Sequence, residues 1–152
     1  MSGTPGPAVS VRGFPPDALP DGELVQAQHR LALEPVPQLV ALARDFVRQH
    51  VPALTDDTYD TVLLLTSELV TNAILHARTA LEVGITVTPR CLVVTVFDLD
   101  LGHRELPSPE VREGGRGLVL VTALAHAWAM HRPTDGGKTV WFRVRRDEEG
   151  AT

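Results

Sequence analysis

Cysteine is nearly missing from this chain of 152 residues, since Cys91 is the only one. A lone thiol cannot form an internal disulfide or a cysteine-cluster zinc site, and nothing suggests a secreted protein. Cys91 sits in an apolar, strand-like run and reads as a small buried hydrophobe rather than a nucleophile. A long hydrophobic run is missing too. The most apolar stretch, residues 117–130, contains His126 and is shorter than the roughly 20 residues a membrane span needs. The N-terminus has no basic-then-apolar leader pattern, so no membrane is expected and the cytoplasm is the default location. Positive charge is in deficit: Lys and Arg total 14 against 19 Asp and Glu, a formal net charge of -5. That balance argues against nucleic acid as the main partner, because phosphates need a basic surface. There is no internal repeat, no GxxxxGK[ST] phosphate loop and no HExxH zinc motif.

What is present fits an ordinary globular domain with 43% hydrophobic and 22% charged residues. Residues 1–25 hold Pro5, Pro7, Pro15, Pro16 and Pro20 among Gly3, Gly6, Gly13 and Gly22, which predicts a flexible tail. Val9, Val11, Phe14 and Leu19 leave docking on the body or a partner open. Residues 26–146 carry the periodic segments. A strand over 28–33 is followed by a helix ending near His50, and a second helix starts at Thr55 and runs to about Ala77. Alternation over 81–87 and the β-branched run 91–97 read as a β-hairpin across Pro89-Arg90. Residues 98–113 are irregular, 117 to about 130 read as a third helix, and 139–144 as a last strand. The acidic tail 147–152, with Asp147-Glu148-Glu149, is expected to be solvated. The order β-α-α-β-β-α-β predicts a two-layer α/β sandwich, with a mixed, mostly antiparallel sheet and helices on one face.

The second helix carries the most informative residues. Glu68, Asn72 and His76 recur at four-residue steps, which form one slowly drifting stripe, while Leu63, Val70, Ala73, Ile74 and Ala77 fall on the other side. A carboxylate can take a proton from an attacking hydroxyl. A carboxamide oxygen can ligate Mg²⁺ that draws its other ligands from water and phosphates. His76 could touch phosphate or a metal-bound water. Spacing alone equally allows a surface ion pair for Glu68, a loop contact for Asn72 and a satisfied core position for His76. Asp98 ends an apolar strand, where it could accept a hydrogen bond from an exocyclic amine or cap a turn. Gly115-Arg116-Gly117 precedes the third helix, where backbone N–H groups and a guanidinium could meet phosphate, or where the glycines simply turn the chain. In Gly136-Gly137-Lys138-Thr139, the lysine reads as solvated in a turn, and Thr139 could bond a base or an adjacent water.

Taken together, these segments resemble the GHKL (histidine kinase-like) ATPase superfamily, and within it the bacterial anti-sigma-factor, serine-protein-kinase branch. Glu68-Leu69-Val70-Thr71-Asn72-Ala73 with His76 matches the N box, and Asp98 with Gly102 resembles the first glycine box. Gly115-Arg116-Gly117-Leu118 resembles the second glycine box, and residues 137–142 resemble the closing strand. The matches occur in family order over roughly residues 28–146.

The resemblance implies a Bergerat-type ATP-binding fold with ATP and Mg²⁺ as cofactors. It implies Glu68 as general base, Asn72 as Mg²⁺ ligand, and Asp98 as the contact to the adenine amino group. Gly102, Gly115 and Gly117 would shape the pocket and lid, and Arg116 would meet phosphate. It implies a sigma factor and a small anti-sigma factor antagonist as protein partners, with a homodimer common in the branch. One departure stands out: Asp100 occupies a position where the first glycine box usually has glycine, and His103 and Arg104 follow it. Two functions therefore compete: a Mg-ATP-dependent serine/threonine-protein kinase that antagonises a sigma factor, and a non-catalytic partner-binding regulator with a structural or degenerate nucleotide site.

Overall fold

The computed structural model describes residues 11–77, 79–99 and 116–146. Their elements are β1 (Ala27–Leu33), α1 (Leu39–His50), α2 (Asp56–Ala77), β2 (Leu81–Val87), β3 (Cys91–Asp98), α3 (Arg116–Leu124), β4 (Ala127–His131) and β5 (Lys138–Arg145). The strands form one sheet in the order β1-β2-β3-β5-β4. Every pairing is antiparallel. All three helices pack together on one face, with α2 against α1 and α3 and over β3 and β5. The expected two-layer sandwich is therefore present.

Local signals explain the elements. The Thr55 hydroxyl accepts from the Thr58 N–H at 3.2 Å and caps α2, with Asp56 and Asp57 in its first turn. Val62, Leu65, Leu69 and Val70 of α2 are buried against Val83, Ile85, Val94 and Phe142 of the sheet. Each such side chain stabilises the fold by about 1.5–3 kcal/mol. In α1, Leu39, Ala43, Phe46 and Val47 are buried at helical spacing. The ring of His50 at the end of α1 stacks on His29 of β1, with centroids 4.0 Å apart.

One expected element is corrected. The third helix ends at Leu124 rather than near residue 130, and residues 127–131 form β4. An apolar run cannot be assigned to helix or strand by periodicity alone. Here the free edge of β5 decides, because Trp128 pairs with Phe142 and the His126 N–H donates to the Arg143 carbonyl at 2.8 Å. Unpaired buried backbone groups would cost more than ending the helix early.

Residues 11–19, expected within a flexible tail, lie packed on the sheet face opposite the helices. Ala18 is fully buried with Val93 and Trp141, and Phe14 and Leu19 pack alongside. Val11 sits over Gly84, where an added Cβ would come within 2.7 Å of it. The Arg12 N–H donates to Glu82 at 3.0 Å, and Arg143 donates to the Ala18 carbonyl at 2.7 Å. Proline and glycine content describes a segment that cannot pair as a strand. It does not describe one that cannot cover an apolar sheet face through its side chains and carbonyls.

Candidate functional site

The sheet has two chemically different ends. At one of them β3 finishes with Asp98, opposite Leu81 of β2 and Lys138 of β5. Strand alternation places Asp98 on the helix side, with Leu92, Val94 and Val96. Its side chain is 1% exposed, and its Oδ2 lies 3.7 Å from Nζ of Lys138, itself 4% exposed. This corrects the reading of Lys138 as a solvated turn residue. As the first residue of β5 it follows strand alternation inward, and a buried ammonium needs a buried counter-charge. Each charge compensates the other.

The turn feeding Lys138 is built around this pair. Gly136 and Gly137 have φ of 108° and 89°, conformations that side chains rarely adopt. A Cβ on Gly137 would run into the Phe97 ring and come within 2.8 Å of the Asp98 carbonyl oxygen. The glycine thus lets the turn close against the end of β3.

Helix α2 brings the predicted stripe toward the same end. Glu68 and Asn72 are both half-buried on it. Asn72 lies five residues, about 7.5 Å along the axis, before the helix's last residue, Ala77. Just beyond, the Thr79 hydroxyl accepts from the Leu99 N–H at 3.3 Å and joins the exit of α2 to the exit of β3. The backbone of His76 lies on the same helix, and its side chain is outside the described residues. Arg116 opens α3 and Gly117 follows it, so the helix's first N–H groups come from this segment. Gly102 and Gly115, like Asp100, lie outside the described residues. Thr139 does not join the group. It pairs with Phe97 and faces the other side of the sheet, where its buried hydroxyl donates to the Gly13 carbonyl at 2.9 Å.

Sequence reading missed two supports. One is Lys138, whose signal was its place as the first inward position of an alternating strand. The other is Arg44 of α1, which donates to the Ser67 hydroxyl at 2.7 Å, while that hydroxyl donates to the Leu63 carbonyl at 3.0 Å. This fixes α2 to α1 next to Glu68, and no local motif announces such a contact.

Chemically, an acceptor-only carboxylate suits an amine donor. A half-buried carboxamide and carboxylate one helical turn apart could serve a metal and a hydroxyl. Among the described residues no three His, Cys, Asp or Glu side chains form a metal-binding group. A hard cation held by a single carboxamide would draw most of its ligands from phosphate and water, as Mg²⁺ does. The profile of the histidine kinase-like ATPase domain matches residues 32–144, from within β1 to the penultimate residue of β5. No curated protein matches the chain.

Proposed function

Because the chain belongs to the histidine kinase-like ATPase domain family, we propose that it is an ATP-binding regulatory protein: an anti-sigma factor with Mg-ATP-dependent serine/threonine-protein kinase activity on an anti-sigma factor antagonist. The observation that carries the nucleotide part is the buried Asp98, held by Lys138 at the sheet end toward which α2 directs Glu68 and Asn72. Asp98 would accept a hydrogen bond from the adenine amino group. Asn72 would hold Mg²⁺, which when bound neutralises charge on the phosphate oxygens. Arg116 and the first N–H groups of α3 would face phosphate.

Glu68 would take the proton from a serine hydroxyl as that oxygen bonds to the γ-phosphorus of ATP, with ADP leaving. Such transfer rests mainly on positioning and electrostatics, and the Arg44–Ser67 contact holds the helix that positions Glu68. Asp100 favours a second reading. A side chain and negative charge in the first glycine box would disfavour the base, and the protein would then hold its partner with a structural or degenerate nucleotide site.

Calorimetric titration with ATP, with and without Mg²⁺, tests the first reading. Binding should require Mg²⁺ and weaken by about tenfold or more in Asn72→Ala; no binding at millimolar ATP sinks it. With an antagonist in hand, Glu68→Ala should keep ATP affinity and abolish transfer. Unchanged transfer removes Glu68 from its role, and ATP binding without transfer in the wild type selects the second reading.

A further inference from the structure

The opposite end of the sheet holds a cleft of about 590 Å³ where four arginines meet. Arg90 comes from the turn between β2 and β3, Arg143 and Arg145 from β5, and Arg146 from the residue after it. The chain as a whole is acidic, at -5, so this concentration of positive charge is local. Two acids, Asp21 and Glu23, also line the cleft, so four guanidinium groups face two carboxylates and positive charge remains in excess. Glu23 is engaged by the Thr88 hydroxyl at 2.5 Å and the Arg90 backbone N–H at 3.3 Å. None of the four guanidinium groups forms an ion pair among the described residues.

The hydrogen bonds these arginines do make go to neutral acceptors. Arg143 donates to the Ala18 carbonyl, and Arg146 donates to Gln26 at 3.2 Å and to the Thr88 carbonyl at 2.8 Å. Among the described residues, Nε of Arg143 and Nε of Arg146 are buried without a hydrogen-bond partner. Those bonds hold the two side chains in place without satisfying their charge. Buried polar groups are normally paired, and a guanidinium is shaped to grip oxyanions with two parallel bonds.

We propose that this cleft docks an extended acidic segment of a partner protein. Spacing favours a peptide over a compact anion. Arg143 and Arg145 are alternate residues of one strand, so they stand on one face about 7 Å apart. Alternate carboxylates of an extended peptide repeat at the same distance. Arg90 and Arg146 flank that row across the strand ends. The cleft floor includes Cys91, which is 4% exposed, its thiol pushed above the usual range by burial. Cys91 and Asp98 stand at opposite ends of β3, about 23 Å apart, so the cleft is separate from the nucleotide end.

The test uses the full chain and a fluorescent peptide of alternating glutamate and serine, with its glutamine–serine counterpart as control. Anisotropy should report saturable binding of the acidic peptide that weakens as salt rises, and none of the control. Arg145→Glu and Arg90→Glu, both at exposed positions, should each weaken it about tenfold or more while circular dichroism and ATP affinity stay unchanged. Equal binding of the glutamine peptide overturns the proposal, as does unaltered affinity in both variants. Complete displacement by equimolar pyrophosphate also overturns it, in favour of a small-polyanion site. ATP affinity is read separately in the same variants, so a failed nucleotide reading and a failed docking reading give different results.

Discussion

The two ends of the sheet solve the problem of charge in opposite ways. At the exit of β3, Asp98 and Lys138 are both buried and neutralise each other across 3.7 Å. At the entry of β3, four arginines share a cleft, and among the described residues the guanidinium hydrogen bonds of Arg143 and Arg146 go to neutral acceptors. Charge withdrawn from water must be compensated inside the chain, whereas charge left at a cleft can be compensated by a ligand. The first arrangement favours one fixed geometry. The second leaves binding capacity unused. The turns differ in the same sense: Gly137 presses on Phe97 and Asp98, while Pro89 and Arg90 stand exposed.

The largest effect should come from breaking the compensated end. Lys138→Ala strands a buried carboxylate and should lower stability by about 3–5 kcal/mol, read from urea unfolding. Lys138→Met combined with Asp98→Asn removes both charges and should recover much of that loss. A loss in the double variant equal to that of Lys138→Ala would show that packing, not charge, is at stake. Next is the contrast between the turns. Gly137→Ala forces a side chain to φ 89° and into Phe97, at a cost of about 1–3 kcal/mol. Arg90→Ala at the other end should stay within about 0.5 kcal/mol. Equal losses would erase the distinction between a pressed turn and an open one.

The smallest effect concerns His50, stacked on His29 in the sheet half nearer the arginines. Burial, and secondarily the charge of His29, hold its imidazole below the usual histidine range. The unfolded chain binds a proton near pH 6.5, where the folded chain still resists it. Stability is therefore undiminished above that pH and declines as the pH falls toward the lowered folded value. The melting temperature should drop between about pH 7.5 and pH 5.5, with a His50 share of no more than about 2 °C. His50→Gln should flatten that share of the slope, and an unchanged slope would remove His50 from the account.

The fold was legible wherever periodicity was long. The capped helix from Thr55 and the alternation over 81–87 could be assigned because each segment's own residues determine it. Residues 127–131 were not legible, because Ala-Trp-Ala-Met suits either state and only the open edge of β5 decides. The docking of residues 11–19 was left open by their apolar side chains, since its place depends on a bare patch at Gly84 and on Trp141 far along the chain. At the candidate site, Glu68, Asn72 and Asp98 could be selected from spacing and motif. Lys138 was not, although it precedes an alternating strand at an inward position, because burial of a lysine depends on meeting a carboxylate through strand register. The same register turns Thr139 to the opposite face, where Gly13 claims its hydroxyl.

Cys91 gives the arginine cleft a clock of its own. It is the sole thiol of the chain, it lies beneath the cleft, and its burial keeps it protonated. A thiol reagent meets it slowly, through the cleft or when the start of β3 opens, so the rate of modification reports access from that side. Whatever fills the cleft slows that clock, and no label has to be introduced to read it.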